Sequence, residues 1–497
     1  MSDENKSGSQ SYVPVPQVAL HGTNTHPDTE LYPLDEEFEL QTVDSLDFEN
    51  QSIQDNEVNA EGQSGMKGAF MNMANSILGA GIIGQPFAFK NCGLVGGLVV
   101  MVFLTFLVDW TLRLIVINAQ LAKTKSYQDT VGKCYGQTGR YILLLSISLF
   151  AVGGCMAFSV IIGDTIPHVL KAFIPDSITN DDSPVGWIFK RNTIIILSIT
   201  CISYPLSLNR DISKLEKASG FALIGMVTIV IITAVRGPFA GNDLKKKLTK
   251  LEWTVNYNIF QGISVISFAL VCHHNTIFIY NSLRNATVKK FSKITHIACG
   301  ISMVCCTFMA VNGLINFGDN TKGNLLNNFR STDNWINVAR FCFGLNMLTT
   351  FPLELIVARD VLKDLVLAWN GEAGEHGSTA HLQLSPKQHF AITTVLVFSS
   401  MSVALLTCNL GVILELIGAT SASIMSYIFP PLCYLKLSWD SFNFKNESDT
   451  DKRKFIFWKI LPSVGCITFG FSVMIISSYM SIKTSINNKD ASHCVGD

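Results

Sequence analysis

The chain has 497 residues, 48% of them hydrophobic, and a formal net charge of −1. That near-neutral sum hides an asymmetry: residues 1–65 hold 14 Asp and Glu against one basic residue, Lys6, while the rest of the chain carries a surplus of 12 basic residues. Beyond residue 65 the charges cluster between long apolar runs, a pattern that excludes an ordinary soluble globular domain and points to a membrane-spanning one.

In chain order, residues 1–65 are rich in Ser, Thr, Gln, Asn and Pro and show no apolar periodicity. Such a segment cannot bury enough surface to fold, so a disordered acidic tail is expected there, available to a protein partner. Eleven apolar stretches follow, near 67–90, 94–118, 140–172, 190–208, 217–237, 257–281, 294–318, 335–362, 386–408, 410–435 and 455–482. Each approaches the roughly 20 residues that cross a bilayer core. No signal peptide is expected, because the first 65 residues are polar, so the first span should act as its own insertion signal. With the N-terminus in the cytosol, cytosolic segments hold 22 Lys and Arg and the opposite side 13, which favours that orientation. Sequons at Asn50, Asn285 and Asn446 then fall on the cytosolic side, out of reach of glycosylation. Trp187 and Trp253 are expected as interface anchors, and the polar stretch 126–140 as a surface helix and turn.

The spans repeat. Spans one to five and six to ten lie 190–200 residues apart, which divides the chain into a first half at 66–237, a second at 257–435, an eleventh span at 455–482 and a short tail at 483–497. Five is odd, so the second half enters the membrane from the opposite face. The expected fold is therefore an all-α polytopic membrane protein with a 5+5 inverted repeat plus one helix, an architecture common among secondary transporters.

The first span reads ILGAGIIGQPFAF at 77–89. Gly79, Gly81, Gly84 and Pro86 within eight positions suit a helix that unwinds near the membrane midplane, since irregular backbone at that depth is tolerated where it lines a cavity. Pro86 fits the first turns of the second half-helix. The N–H groups of that half-helix would face an anion such as a carboxylate. At the matching place in span six, SFALVCHHNTIFIY at 267–280 is interrupted by His273, His274, Asn275 and Thr276. A break in both halves at the same depth marks a shared site; close-packed glycine faces are the plainer alternative.

Ionisable groups in spans cost roughly 2.5–3.5 kcal/mol each on insertion scales, so each asks for a role. His273 and His274 suit substrate contact or proton transfer, or a neutral core. Glu354, after Pro352, and Glu415, within GVILELIG at 411–418, suit a proton relay or pairing with neighbours. Asn75, one turn before the break, suits an ion or substrate amine. Thr349 and Thr350, ahead of Pro352, suit a small hard cation or bonding back to their own helix. Asp109 and Arg113 stand i,i+4 and should pair. Asp164 and His168 are expected near a hydrated helix end. The thirteen Cys read as packing residues; Cys92 and Cys408, both at exoplasmic ends, allow a disulfide. No metal-ligand spacing, Walker-type loop or catalytic constellation is present, so an enzyme is not expected, nor a nucleic-acid partner.

NMANSILGAGIIG at 72–84 resembles the first-span signature of the amino acid/auxin permease family, and FALVCHHNT at 268–276 is similar to its sixth span. TFPLE at 350–354, LELIGAT at 414–420 and the loop ending GQTGR at 136–140 match as well. The likeness covers about residues 64–482 and is nearest to the fungal vacuolar and sodium-coupled neutral amino-acid branches. It implies a fold of the bacterial leucine-transporter type and α-amino acids as substrates, held near Leu78, Gly79, Ala80, Gly81 and Phe268. It also implies a coupling ion, H⁺ or Na⁺, with Asn75 and one of the two threonines serving a cation, and a vacuolar or other endomembrane location. The expected function is gradient-driven symport of neutral amino acids by alternating access. The alternative is an amino-acid sensor that signals through the acidic tail, and a channel is a weaker third reading.

Overall fold

The computed structural model describes residues 64–179, 183–209, 219–369, 384–442 and 448–487. The acidic tail up to residue 63, the sequons at Asn50 and Asn446, and the last ten residues lie outside them. The described residues form helices, with one isolated bridge between Ser64 and Leu283. Apart from short helical turns in the connections, the helices among the described residues can be grouped as α1 (66–92), α2 (Leu94–Ala122), α3 (Tyr127–Phe173), α4 (Arg191–Leu208), α5 (Ser219–Arg236), α6 (Ile259–Ser282), α7 (Val288–Phe317), α8 (Asn334–Trp369), α9 (Pro386–Leu406), α10 (Leu410–Ser441) and α11 (Asp449–Ile486). Among the described residues, ten helices are long and apolar enough to cross a membrane. α1 is not one of the ten, because it is interrupted and its longest continuous helix has 12 residues.

Helices pack on their counterparts. α1 lies against α6, α2 against α7, α3 against α8 and α4 against α9, and the α3–α8 contact is the most extensive of all. Equivalent helices of two halves meet in this way when the halves are related by a pseudo-twofold axis in the membrane plane. The outer faces carry the apolar side chains that lipid would cover, among them Phe106 of α2, Val304 of α7 and Val395 of α9. Trp187 and Trp253 are 58% and 49% exposed in the connections before α4 and α6, where interface anchors are expected.

Two glycines show how closely the backbones approach. Gly93, joining α1 to α2, has φ +78°, and a Cβ there would stand 2.6 Å from the Thr254 carbonyl oxygen. Gly418 of α10 lies so near α6 that a Cβ would overlap the Ser264 carbonyl. In α3, Gly136 at φ +67° turns a surface helix (residues 127–135) into the span proper, as the stretch 126–140 suggests.

The connection between α7 and α8 folds inward. Its turn, Leu325–Asn328, reaches the Ala80–Gly84 segment of α1. Two buried side chains hold it. Asp164 accepts from Asn327 (2.9 Å) and Asn324 (3.4 Å) and pairs with Arg191 of α4 at 3.2 Å. Arg340 donates to the carbonyls of Leu326 and Phe329 at 2.8 and 2.9 Å. Asp164 therefore departs from the hydrated position expected of it: it is 2% exposed, and the guanidinium supplies the compensation that water was expected to give. The disulfide between Cys92 and Cys408 is not formed. Cys92 is a free, buried thiol directed at the Ile259 carbonyl of α6.

Replacing Gly418 with Val is expected to force α10 off α6 and to destabilise the fold by about 1–3 kcal/mol or more. Thermal unfolding of purified protein in detergent checks this. An unchanged transition would mean that the two backbones do not touch.

Candidate functional site

α1 is helical through Ile77 and leaves the helix at Gly79 (φ −66°, ψ −142°). A 3₁₀ turn, Ala80–Gly84, leads into the helix Gln85–Cys92, with Pro86 in its first turn. α6 is helical from Ile259 to Leu270, becomes extended at Val271 (φ −79°, ψ 116°), turns at His273–Asn275 and resumes at Thr276. Both interruptions fall where the sequence places them.

The two breaks face each other. A Cβ on Gly81 would overlap the backbone and side chain of Ala269, so glycine is what allows the crossing. Asn275 donates to Ser76 Oγ at 3.1 Å, linking the first half of α1 to the turn of α6. Some of the freed backbone is answered locally. Leu78 N–H reaches the Ala74 carbonyl at 2.8 Å, Val271 N–H the Ser267 carbonyl at 3.1 Å, and Gln85 Nε2 the Gly81 carbonyl at 2.9 Å. The Gln85 Oε1 atom is buried and without a partner.

Of the residues singled out from sequence, Leu78, Ala80 and Phe268 are buried at this crossing. Phe268 packs against Phe150 of α3 with ring centroids 5.3 Å apart and planes tilted by 35°, and Phe150 lies at the same distance from the His274 ring. The two histidines part company. His273 turns into α2, where its Nε2 meets Thr111 Oγ1 at 2.9 Å, leaving Nδ1 unpartnered. His274 faces α8, with Nε2 at 3.8 Å from Glu354 Oε1. That oxygen and both ring nitrogens are buried without hydrogen-bond partners. Glu354 also lies against Gly154 of α3, whose missing side chain leaves it room.

Glu415 stands apart from this pair. It accepts from Asn91 of α1 (3.1 Å), Gln261 of α6 (3.1 Å) and Ser481 of α11 (2.7 Å), binding three helices together. Thr349 and Thr350 donate to the Asn346 carbonyl of their own helix at 2.9 and 2.8 Å, which leaves their oxygen lone pairs open. Asn75 is half-buried, one turn ahead of the break. Asp109 and Arg113 pair at 3.1 Å, and His296 of α7 approaches the same carboxylate at 2.9 Å.

Sequence reasoning missed Phe150, Ser76 and Thr111. Phe150 is one aromatic residue in an apolar helix, and nothing in its neighbours distinguishes it. The adjacent Gly153 and Gly154 were the available hint that something bulky packs against α3.

Comparison with known proteins adds a second line. The chain matches the family model described as transmembrane amino acid transporter protein over residues 62–483. It is 50% identical over 434 residues to vacuolar amino acid transporter 2 of Saccharomyces cerevisiae, covering 87% of this chain and 86% of that one. It is 34% identical over 378 residues to putative sodium-coupled neutral amino acid transporter 11 of Danio rerio, covering 76% and 80%. The human protein of the latter name is 30% identical over 406 residues, covering 81% of this chain and 91% of its own.

Removing Glu415 strands three buried donors, whereas Glu354 leaves a single long contact behind. Glu415→Ala should therefore cost about 1–3 kcal/mol for each donor left without a partner, and lower the thermal transition well below that of Glu354→Ala. Equal shifts for the two variants would contradict this division of roles.

Proposed function

The chain belongs to the transmembrane amino acid transporter family, and we propose on that footing that it is a secondary active transporter of neutral amino acids driven by a proton gradient. The observation that carries the proposal is the pair of facing breaks in α1 and α6, with the His274–Glu354 pair beside them. Backbone N–H groups and carbonyls freed at Gly79–Gly81 and Val271–Cys272 suit the carboxylate and amine of an α-amino acid. Phe268 and Phe150 supply an apolar wall, and His273 lies within the same turn.

His274 belongs to α6 and Glu354 to α8. In an alternating-access cycle, α1, α2, α6 and α7 would rock against α3, α4, α8 and α9. A proton accepted by this pair would change its charge across the boundary that moves. That favours H⁺ as the coupling ion over Na⁺ at Asn75, Thr349 and Thr350. Glu415, held by three neutral donors, is the remaining candidate in the relay. The membrane we propose is vacuolar or another endomembrane, with the N-terminus cytosolic, as the yeast relative's name and the distribution of Lys and Arg suggest.

The test is uptake of labelled neutral amino acids into liposomes containing the purified protein. Accumulation is expected with a pH gradient in the absence of sodium. Glu354→Gln should abolish gradient-driven accumulation while leaving exchange of amino acid for amino acid. Asn275→Ala should raise KM about 2- to 10-fold, the worth of one hydrogen bond of about 0.5–1.5 kcal/mol. Accumulation that needs sodium and is lost in Asn75→Ala or Thr350→Ala would overturn the proton assignment. Binding without uptake under either gradient would favour the sensor reading.

A further inference from the structure

We propose that Cys134 and Cys433 form a redox modification site: a thiol pair that closes to a disulfide and clamps the surface helix between α2 and α3 onto the end of α10. The functional part of this inference rests on the transporter reading above; the bond itself does not.

The two residues lie 299 positions apart in the chain, yet each stands next to one partner of the 2.8 Å contact between Tyr135 and Leu432, and the two thiols influence each other electrostatically. Both are free cysteines. Cys134 is half-buried on the surface helix 127–135, and Cys433 is wholly buried in the last helical stretch of α10 (Phe429–Ser441). The contact is part of a seam. Tyr127 OH donates to the Met425 carbonyl at 2.8 Å, and Tyr135 OH to the Leu432 carbonyl at 2.8 Å. From α2, Asn118 donates to the Pro430 carbonyl at 2.8 Å. The backbone on both sides is thus held in place, so the thiols are presented to each other by a fixed frame. The charged groups around Cys134 are Lys133, Lys436 and Asp440. The two ammonium groups favour the thiolate that reacts, and the carboxylate opposes it.

The asymmetry of burial assigns the order of events. A hydroperoxide, ROOH, is the oxidant class. The Cys134 thiolate attacks the O–O bond, which breaks to release ROH and leaves Cys134 as a sulfenic acid. The buried Cys433 sulfur then attacks the Cys134 sulfur. The S–S bond forms, the S–OH bond breaks, and the oxygen departs as water with the Cys433 proton. Two thiols are oxidised and one hydroperoxide is reduced to an alcohol and water; a dithiol reductant reverses the bond by exchange.

The clamp would matter because the surface helix links α2 to α3, and these belong to the two groups proposed to move against each other. Bonded to α10, that connector is no longer free to follow either group.

The experiment uses the full-length protein in liposomes, treated with hydrogen peroxide, alkylated and mapped by mass spectrometry, with amino-acid uptake measured in parallel. The expected result is a linked peptide joining Cys134 to Cys433, a several-fold fall in uptake, and recovery with dithiothreitol. Cys134→Ser and Cys433→Ser should each keep basal uptake and lose the peroxide sensitivity. Absence of the linked peptide overturns the site. A linked peptide with uptake unchanged overturns the clamp. Were uptake absent before oxidation, the transporter reading would fail, and the peptide map would still decide the bond.

Discussion

Hydrocarbon offers no hydrogen bonds, so a helix that crosses it can unwind only where other groups of the protein take over the backbone's donors and acceptors. The organisation of this chain follows from that constraint. α1 and α6 are both unwound, and neither break would be tolerable against lipid. Each is buried against the other, with Gly81 seated on Ala269 and Asn275 tied to Ser76. The remaining helices enclose the crossing: α3 and α8 on one side through Phe150 and Glu354, α2 through Thr111, and the inward turn at Leu325–Asn328 over the Ala80–Gly84 segment.

Polar groups sort into two kinds around that centre. Some are fully satisfied and hold helices together. Glu415 has three donors from three helices, and Asp164 has a guanidinium and two amides. Others are buried and left short of partners, and among them five atoms lie at or beside the breaks: Gln85 Oε1, His273 Nδ1, both nitrogens of His274 and Glu354 Oε1. Folded proteins satisfy most buried polar atoms, so these exceptions beside two unwound helices accord with the site proposed there. Two buried carboxylates thus differ in their surroundings: Glu415 is held by three donors, and Glu354 Oε1 has none.

Much of this was legible in the sequence, for physical reasons. Glycines and a proline within one apolar run, and four polar residues within its counterpart, left few structures compatible with a bilayer, and both breaks stand where those residues put them. The half-to-half spacing is matched by the packing of α1, α2, α3 and α4 on α6, α7, α8 and α9. What sequence could not do was tell Glu354 from Glu415, because each is one acid in an apolar stretch and its partners come from helices far away in the chain. Asp164 was misplaced for the same reason: Arg191, its compensating charge, lies across a connection on the next helix. The two histidines are adjacent, yet the turn sends one into α2 and the other toward α8, a divergence set by backbone angles that no pattern of residue types encodes.

The central claim is that one site, built by the two facing breaks, holds the amino acid. Substrate protection tests it most directly. Ala80→Cys and Val271→Cys would be exposed to a small alkylating reagent with and without a transported amino acid, and the modification of each peptide quantified by mass spectrometry. Val185→Cys, in the exposed connection before α4, would serve as the control. The account predicts that the amino acid slows alkylation at both break positions together and leaves the control unchanged. Equal labelling with and without substrate at both breaks, in protein that demonstrably binds the amino acid, would place the site elsewhere and contradict the account.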